Sequence, residues 1–382
     1  MKQVTKDTFF ALLRAGLWEK EVWLSQFQRV DFSEVYQLAA EQSVVGIVSA
    51  GLELVKDMKI PQNTVLQFVG DTLQIEHRNK AMNEYLSQLI ARLRKDDVYG
   101  VLVKGQGLAQ CYERPLWRAS GDVDFLFTLG NYEKAKKVLI PLALSSEREM
   151  TTFKHLSMMM EEGFEVELHG TLHSRLSNRV DKVIDEAQVE VFYGGHVRSW
   201  QNGKTQTFLP GIDSDVIFIF THILHHFYIE GIGLRQICDW CRFLWTYQEH
   251  LNLALLKQRL RRAGLMSEWQ AFGAVAVEWL GMPKEAMPFY ISSGSQSRKA
   301  KRIIVFVLET GNFGHNRHYN RSNNYLIGKI QSVWLKMKDF SRHALIFPLD
   351  SLRYFCHFLG DGMKLAKTMS RERKDKCGEL QF

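Results

Sequence analysis

Seven residues, Gly121–Phe127 (Gly-Asp-Val-Asp-Phe-Leu-Phe), constrain this chain more than any other stretch. In a β-strand alternate side chains share a face. Asp122, Asp124 and Leu126 therefore point one way and Val123, Phe125 and Phe127 the other. Three large apolar residues on one face require that face to be buried. Two carboxylates side by side on the opposite face repel each other unless a cation lies between them. The pattern predicts a strand inside a folded unit, with a cleft where a hard divalent ion such as magnesium meets oxygen ligands. Two-metal sites hold ions ~3.5–4 Å apart, a spacing that two such carboxylates can bridge.

The flanking segments supply the rest of such a site. Upstream, Val98–Gly105 (VYGVLVKG) is a β-branched run with Lys104 at its end, and Gly105-Gln106-Gly107 then opens a short helix. Backbone N–H groups at the positive end of a helix, approached over glycine, suit a phosphate. Downstream, FKHLSMMM–EEG–FEVELHG reads as a hairpin with Gly163 in its turn. Glu165, Glu167 and His169 share one face of its second strand, while Val166 and Leu168 take the other. Either Glu165 or Glu167 can serve as a third acid.

The chain has 382 residues, 46% hydrophobic and 24% charged, so it is long enough for two or three globular units. No apolar run reaches the ~18 residues that span a bilayer. The N-terminus lacks the features of a secretory signal, and the five cysteines are odd in number and mostly scattered. A reducing, cytoplasmic setting is expected. The expected fold class is α+β, a small mixed-sheet core flanked by helical regions. Residues 1–97 read as helical, with Asp31 and Ser33 as cap candidates and a long amphipathic helix after Pro61. Residues 98–212 read as the α/β core around one sheet, including a second hairpin, VEVFYGGHVRSW–QNG–KTQTFLP. Residues 213–290 read as a helical domain closing the cleft. Residues 291–382 form a basic, aromatic-rich helical region that opens on a linker-like stretch at 291–300. From residue 296 onward there are 17 Lys+Arg against 7 Asp+Glu. A solvated face and a frayed tail account for this charge, and with no aromatic-basic RNA motif a nucleic-acid partner is not expected.

Other side chains admit two readings each. Arg118 either pairs with an acid such as Glu113 or meets a phosphate. His155 and His169, on the two hairpin strands, are either structural or reach the phosphates. Arg235 and Asp239 lie one helical turn apart and can pair with each other. His222, His225 and His226 share one helix, but Ile223 stands where a zinc-protease motif requires Glu, so they read as pocket-lining at most. Cys238 and Cys241 have CxxC spacing inside a helical pattern with no second ligand pair, which predicts core packing.

In order, KGQGLAQCY, a proline, an arginine before GDVDFLF, and VELH resemble a bacterial nucleotidyltransferase family, a branch of the polymerase-β-like nucleotidyltransferase superfamily. The motifs cover about Val98–Gly170, and the later helices (HILHHFYIEGIGLRQICDW) are similar too. The resemblance implies Asp122 and Asp124 as principal metal ligands and Glu167 as the third carboxylate. It implies a phosphate turn starting at Gly105, with Lys104, Gln106 and Gly107 around it, and Arg118 as a phosphate contact. His169 would lie on the substrate side, and Arg235 and Asp239 would supply acceptor-binding or base groups from the helical domain. Gln106 stands where the superfamily usually carries Gly or Ser. The implied reaction transfers a nucleoside monophosphate from an NTP, ATP included, to the hydroxyl of a small-molecule or saccharide acceptor, using two Mg²⁺ ions. The alternative from another class is a catalytically silent nucleotide- or partner-binding protein on the same fold.

Overall fold

The computed structural model describes residues 2–150, 154–229, 231–312, 325–356 and 360. It is 61% helical and 12% strand, so a small sheet is embedded among helices, and the fold class is α+β. Four helices come first: α1 (Gln3–Trp18), α2 (Phe32–Glu41), α3 (Val45–Leu52) and α4 (Gln62–Lys95). Asp31 caps α2 by accepting from the backbone N–H groups of Ser33 and Glu34. The helical pattern that runs on to Val55 breaks at Ser43, whose φ is 56°. That break sets α3 against α1 backbone to backbone. A Cβ added at Gly16 would lie 1.8 Å from the Ile47 carbonyl oxygen, and one at Gly51 would lie 2.0 Å from that of Leu12. The long helix α4 follows Pro61 and ends on Arg92, Arg94 and Lys95, placing positive charge at its negative end.

The main sheet contains β1 (Gly100–Val103), β2 (Asp122–Phe127), β3 (Ala143–Ser146), β4 (His155–Met160) and β5 (Glu165–His169), in the order β1-β2-β5-β4-β3. Its one parallel pair is β2 with β5; the other neighbours are antiparallel. The parallel register sets Asp122 beside Glu165 and Asp124 beside Glu167. The short helix α5 (Gly105–Ala109) follows β1, and α6 (Leu129–Leu139) follows β2.

The alternation in Gly121–Phe127 buries the Val123, Phe125 and Phe127 face as expected, and the strand lies between two cores. Val123, Phe125 and Phe127 join Leu102, Val166, Leu168 and the apolar side of α4 in one core. Leu126 joins Val101 and Val103 in a second core shared with the helices downstream.

Two details of the central region depart from expectation. Residues 189–192 are not strand but the last turn of α7 (Asn178–Phe192). The buried set Val180, Val183, Ile184, Ala187 and Val191 carries the helical period through that segment, and Tyr193 caps its end by donating its backbone N–H to the Val189 carbonyl. The hairpin proper is β6 (Val197–Asn202) and β7 (Thr205–Pro210), turning on Gly203, and it forms a separate two-stranded sheet. Its strands are tied to α4, with Asn202 donating to the Asn83 carbonyl at 2.7 Å.

The remaining helices are α8 (Ile212–Ile229), α9 (Leu234–Thr246), α10 (Leu253–Ala263), α11 (Met266–Ala274), α12 (Gly294–Thr310) and α13 (Tyr325–Ala344). The stretch 291–300 holds Ser293, which caps α12, and the first turns of that helix. Cys238 and Cys241 are buried in the larger core, as read. The N-terminal helices and α8–α12 pack into that same core. The Trp18 indole donates to the Leu280 carbonyl at 2.5 Å, and Leu234 N–H donates to Gln42 Oε1 at 3.0 Å. Among the described residues no helix is long and apolar enough to cross a membrane. Phe153, Glu230, Cys377 and the basic tail from residue 361 lie outside the described residues.

Candidate functional site

The face of the sheet turned away from α4 carries the polar residues. On β2 it presents Asp122 and Asp124, on β5 Glu165, Glu167 and His169, and on β4 His155 and Ser157; the registers put His155 opposite His169 and Ser157 opposite Glu167. Asp124 is 1% exposed, and its Oδ1 accepts from Lys104 Nζ at 2.9 Å and lies 2.9 Å from His169 Nε2. Lys104 reaches it from the end of β1 with φ 58°, a left-handed conformation costly for any side chain but glycine's. Glu167 Oε2 lies 3.2 Å from His155 Nε2 and 3.3 Å from His169 Nε2. Glu165 is engaged elsewhere, accepting from Ser157 Oγ at 2.5 Å. One oxygen from each of Asp122, Asp124 and Glu167 lies within 4.8 Å of the others, so these three, rather than a set with Glu165, are brought together.

The charges account for the titration behaviour. The neighbouring charge of Asp124, then burial, push the Asp122 carboxyl up to about 6. Burial works against the Lys104 charge, but Asp124, Glu167 and Asp122 outweigh it and hold its pKa above the ordinary lysine value. For Glu167 burial is likewise overcome, here by hydrogen bonds from His155 and His169, which keep the carboxylate ionised well below the usual range. His169 is raised because its bonds to Asp124 and Glu167 exceed the cost of burying its charge.

Two adjoining cavities open on this face. The smaller, about 40 Å³, lies among Lys104, Gly105, Arg118, Asp122, Arg235 and Asp239. The larger, about 490 Å³, is lined by His155, Glu167, His169, His173, Asp215 and His225 among others. Lys104, Asp122, Ile219 and His222 line both. The wall opposite the sheet is α8 and α9. Burial, then the nearby Lys104 charge, keep His222 neutral, its pKa well below the ordinary imidazole value. Its Nε2 lies 3.1 Å from that of His226.

The remaining residues singled out in the sequence divide by position. Gln106 is buried with its amide 3.3 Å from Asn79 Oδ1, a Cβ at Gly107 would meet Leu209 Cδ2 at 2.8 Å, and neither residue lines either cavity. Arg118 grips Asp239 at two points, Nε to Oδ1 at 3.1 Å and Nη2 to Oδ2 at 2.5 Å. Tyr112 donates to the same carboxylate at 2.8 Å. Arg235 donates to the Ala119 carbonyl at 2.9 Å, and burial, then the Arg118 charge, lower its pKa to about 10, which leaves it cationic at neutral pH.

A family model described as an uncharacterised nucleotidyltransferase matches residues 28–281. The chain belongs to that family. Searches of curated proteins and of solved structures found no match. The matched span of this nucleotidyltransferase-family member runs from just before α2 to the residue after Leu280. It contains both cavities' carboxylates, Lys104, and the α8–α9 wall. Membership makes a nucleotide the substrate class and a transferase the enzyme class. Sequence reading alone did not place Asp215 or His173 at the larger cavity. Asp215 arrives there because α8 begins beside the β6–β7 hairpin, where Arg198 pairs with it. His173 follows β5 in a loop and carries no local signal. The spacing of His222, His225 and His226 was the one available hint to the α8 wall.

Proposed function

We propose that this chain transfers a nucleoside monophosphate from an NTP to a hydroxyl acceptor, as a branch of the polymerase-β-like superfamily. The observation that carries the reading is the cluster of Asp122, Asp124 and Glu167 on paired strands in a chain of this family. Three hard-oxygen donors, one of them held at a raised pKa by the repulsion of its neighbour, fit Mg²⁺, and two ions are expected. Magnesium bound there supplies Lewis acidity to the acceptor hydroxyl and the departing pyrophosphate.

The chain's own residues bind and orient. Lys104 and Arg235 place two cations beside the smaller cavity, where phosphate oxygens would meet them. Gly105, at φ 34°, lets the backbone come close at the turn. Arg118 acts through Asp239, holding α9 against the sheet, so its role is positioning. The larger cavity, walled by neutral His222 and by His225, is the place for the acceptor.

The test is pyrophosphate release from NTPs with Mg²⁺ over a panel of sugar and small-molecule acceptors. Asp122→Asn is expected to lower the rate by about 100-fold or more, on the scale of losing one preorganised electrostatic contact, with the far-UV circular dichroism unchanged. Equal turnover of variant and wild type would end the proposal. A silent binder would take up NTP in calorimetry and release no pyrophosphate with any acceptor.

A further inference from the structure

Beside the three-carboxylate cluster lies a second one of different chemistry. His155, Glu167 and His169 each offer a ligand atom within 4.8 Å of the others. Both imidazole Nε2 atoms converge on one oxygen, Glu167 Oε2, at 3.2 and 3.3 Å. The rings stack with centroids 4.8 Å apart, an arrangement fixed by their opposed positions on β4 and β5. Asp124 Oδ1, 2.9 Å from His169 Nε2, stands at the edge of the group. Ligands held at about 2.1 Å from an ion lie about 3.0 Å apart at right angles and about 3.4 Å apart in a tetrahedron. The separations of the two imidazoles from Glu167 fall in that interval. All three residues line the 490 Å³ cavity, so an ion among them keeps a coordination position open to whatever enters.

We propose that His155, Glu167 and His169 bind a zinc-class transition ion with an open position facing the larger cavity. Two imidazoles and a carboxylate are the donor set of open catalytic zinc and iron sites, and imidazole discriminates against magnesium, which prefers oxygen. The inference goes beyond nucleotidyl transfer and shares only Glu167 with the three-carboxylate cluster. His155 belongs to the second cluster alone and is therefore the residue to change.

The experiment takes the full chain stripped with chelator and titrated with Co²⁺ alone, followed by its visible d–d absorption. Wild type is expected to develop the intense bands of a four- or five-coordinate site with nitrogen ligands, and excess Mg²⁺ is expected not to abolish them. His155→Ala is expected to weaken Co²⁺ binding by more than about 100-fold, above the 10- to 100-fold typical of losing an outer-sphere partner. X-ray absorption of zinc-loaded wild type counts the imidazoles directly, whatever the folding of the variant; two are expected. An all-oxygen shell, or cobalt affinity unchanged in His155→Ala, would overturn the site. Magnesium-supported pyrophosphate release is read separately on wild type. If it persists beside an all-oxygen shell, only this inference fails; if it is absent beside a two-imidazole shell, only the transfer reaction fails.

Discussion

At the scale of single residues, the chemistry rests on charges placed where they are individually unfavourable. Asp122 is held beside Asp124 by the pleat, and the repulsion between them appears as a carboxyl pushed up to about 6. Removing that charge relieves the metal-free fold. With chelator present, Asp122→Asn is expected to melt at or above the wild-type temperature in scanning calorimetry; a fall of several degrees would mark the carboxylate as structural. Glu268 on α11, which lines neither cavity, presents a similar problem. Fully buried, with the Tyr228 hydroxyl 3.3 Å away, it is pushed up to about 8 by desolvation and then by the charge of Asp350. The folded state keeps a proton that the unfolded chain, at the ordinary 4.5, releases. Stability from this group is therefore full below about 4.5, declines as pH rises toward 8, and levels off above. Glu268→Gln is expected to melt above wild type near pH 9, with the gap closing near pH 5, in thermal shift measurements. A gap that does not change with pH would show that the carboxyl is not the cause.

At the scale of elements, the decisive contacts are close approaches. The α1–α3 crossing leaves no space for a methyl group at Gly16 or Gly51, because the opposing backbone carbonyl already occupies it. Gly51→Ala must separate the two helices and uncover buried residues such as Leu12 and Ile47. The expected cost is at the upper end of the about 1–3 kcal/mol typical of overpacking, read from urea denaturation; a neutral variant would show that the crossing is compliant. The same reasoning applies to Gly107, where the lack of a Cβ makes room for Leu209. A glycine's reason lies in its neighbour, and a sequence does not display its neighbours.

At the scale of the molecule, a helical wall faces a sheet, and a buried ion pair joins them. Arg118 precedes β2 and Asp239 lies on α9, with side chains 5% and 3% exposed. Breaking one partner of such a pair strands a charge, at about 3–5 kcal/mol, whereas replacing both with apolar residues is often neutral. Asp239→Asn is expected to lose that much in urea denaturation, and Arg118→Met with Asp239→Leu to recover most of it. Strict additivity of the two changes would mean the residues are not energetically coupled.

Local alternation is what one strand can announce about itself. The order of apolar and acidic residues in Gly121–Phe127, the turn at Gly163 and the helical period of α4 each depend on near neighbours, and all are legible in the sequence. The β2–β5 pairing, which sets Glu165 beside Asp122 and Glu167 beside Asp124, depends on strands that are not adjacent in sequence, and so does the Ser157 bond from β4 that engages Glu165. The grip of Arg118 on Asp239 spans 121 positions. Two imidazoles meet on one oxygen only because β4 folds back on β5 in that register. The chain by itself determined which faces are apolar and which carry charge, since burial acts on each residue's own side chain. Which charges face one another was left to the packed structure, because electrostatic contacts depend on distance in space.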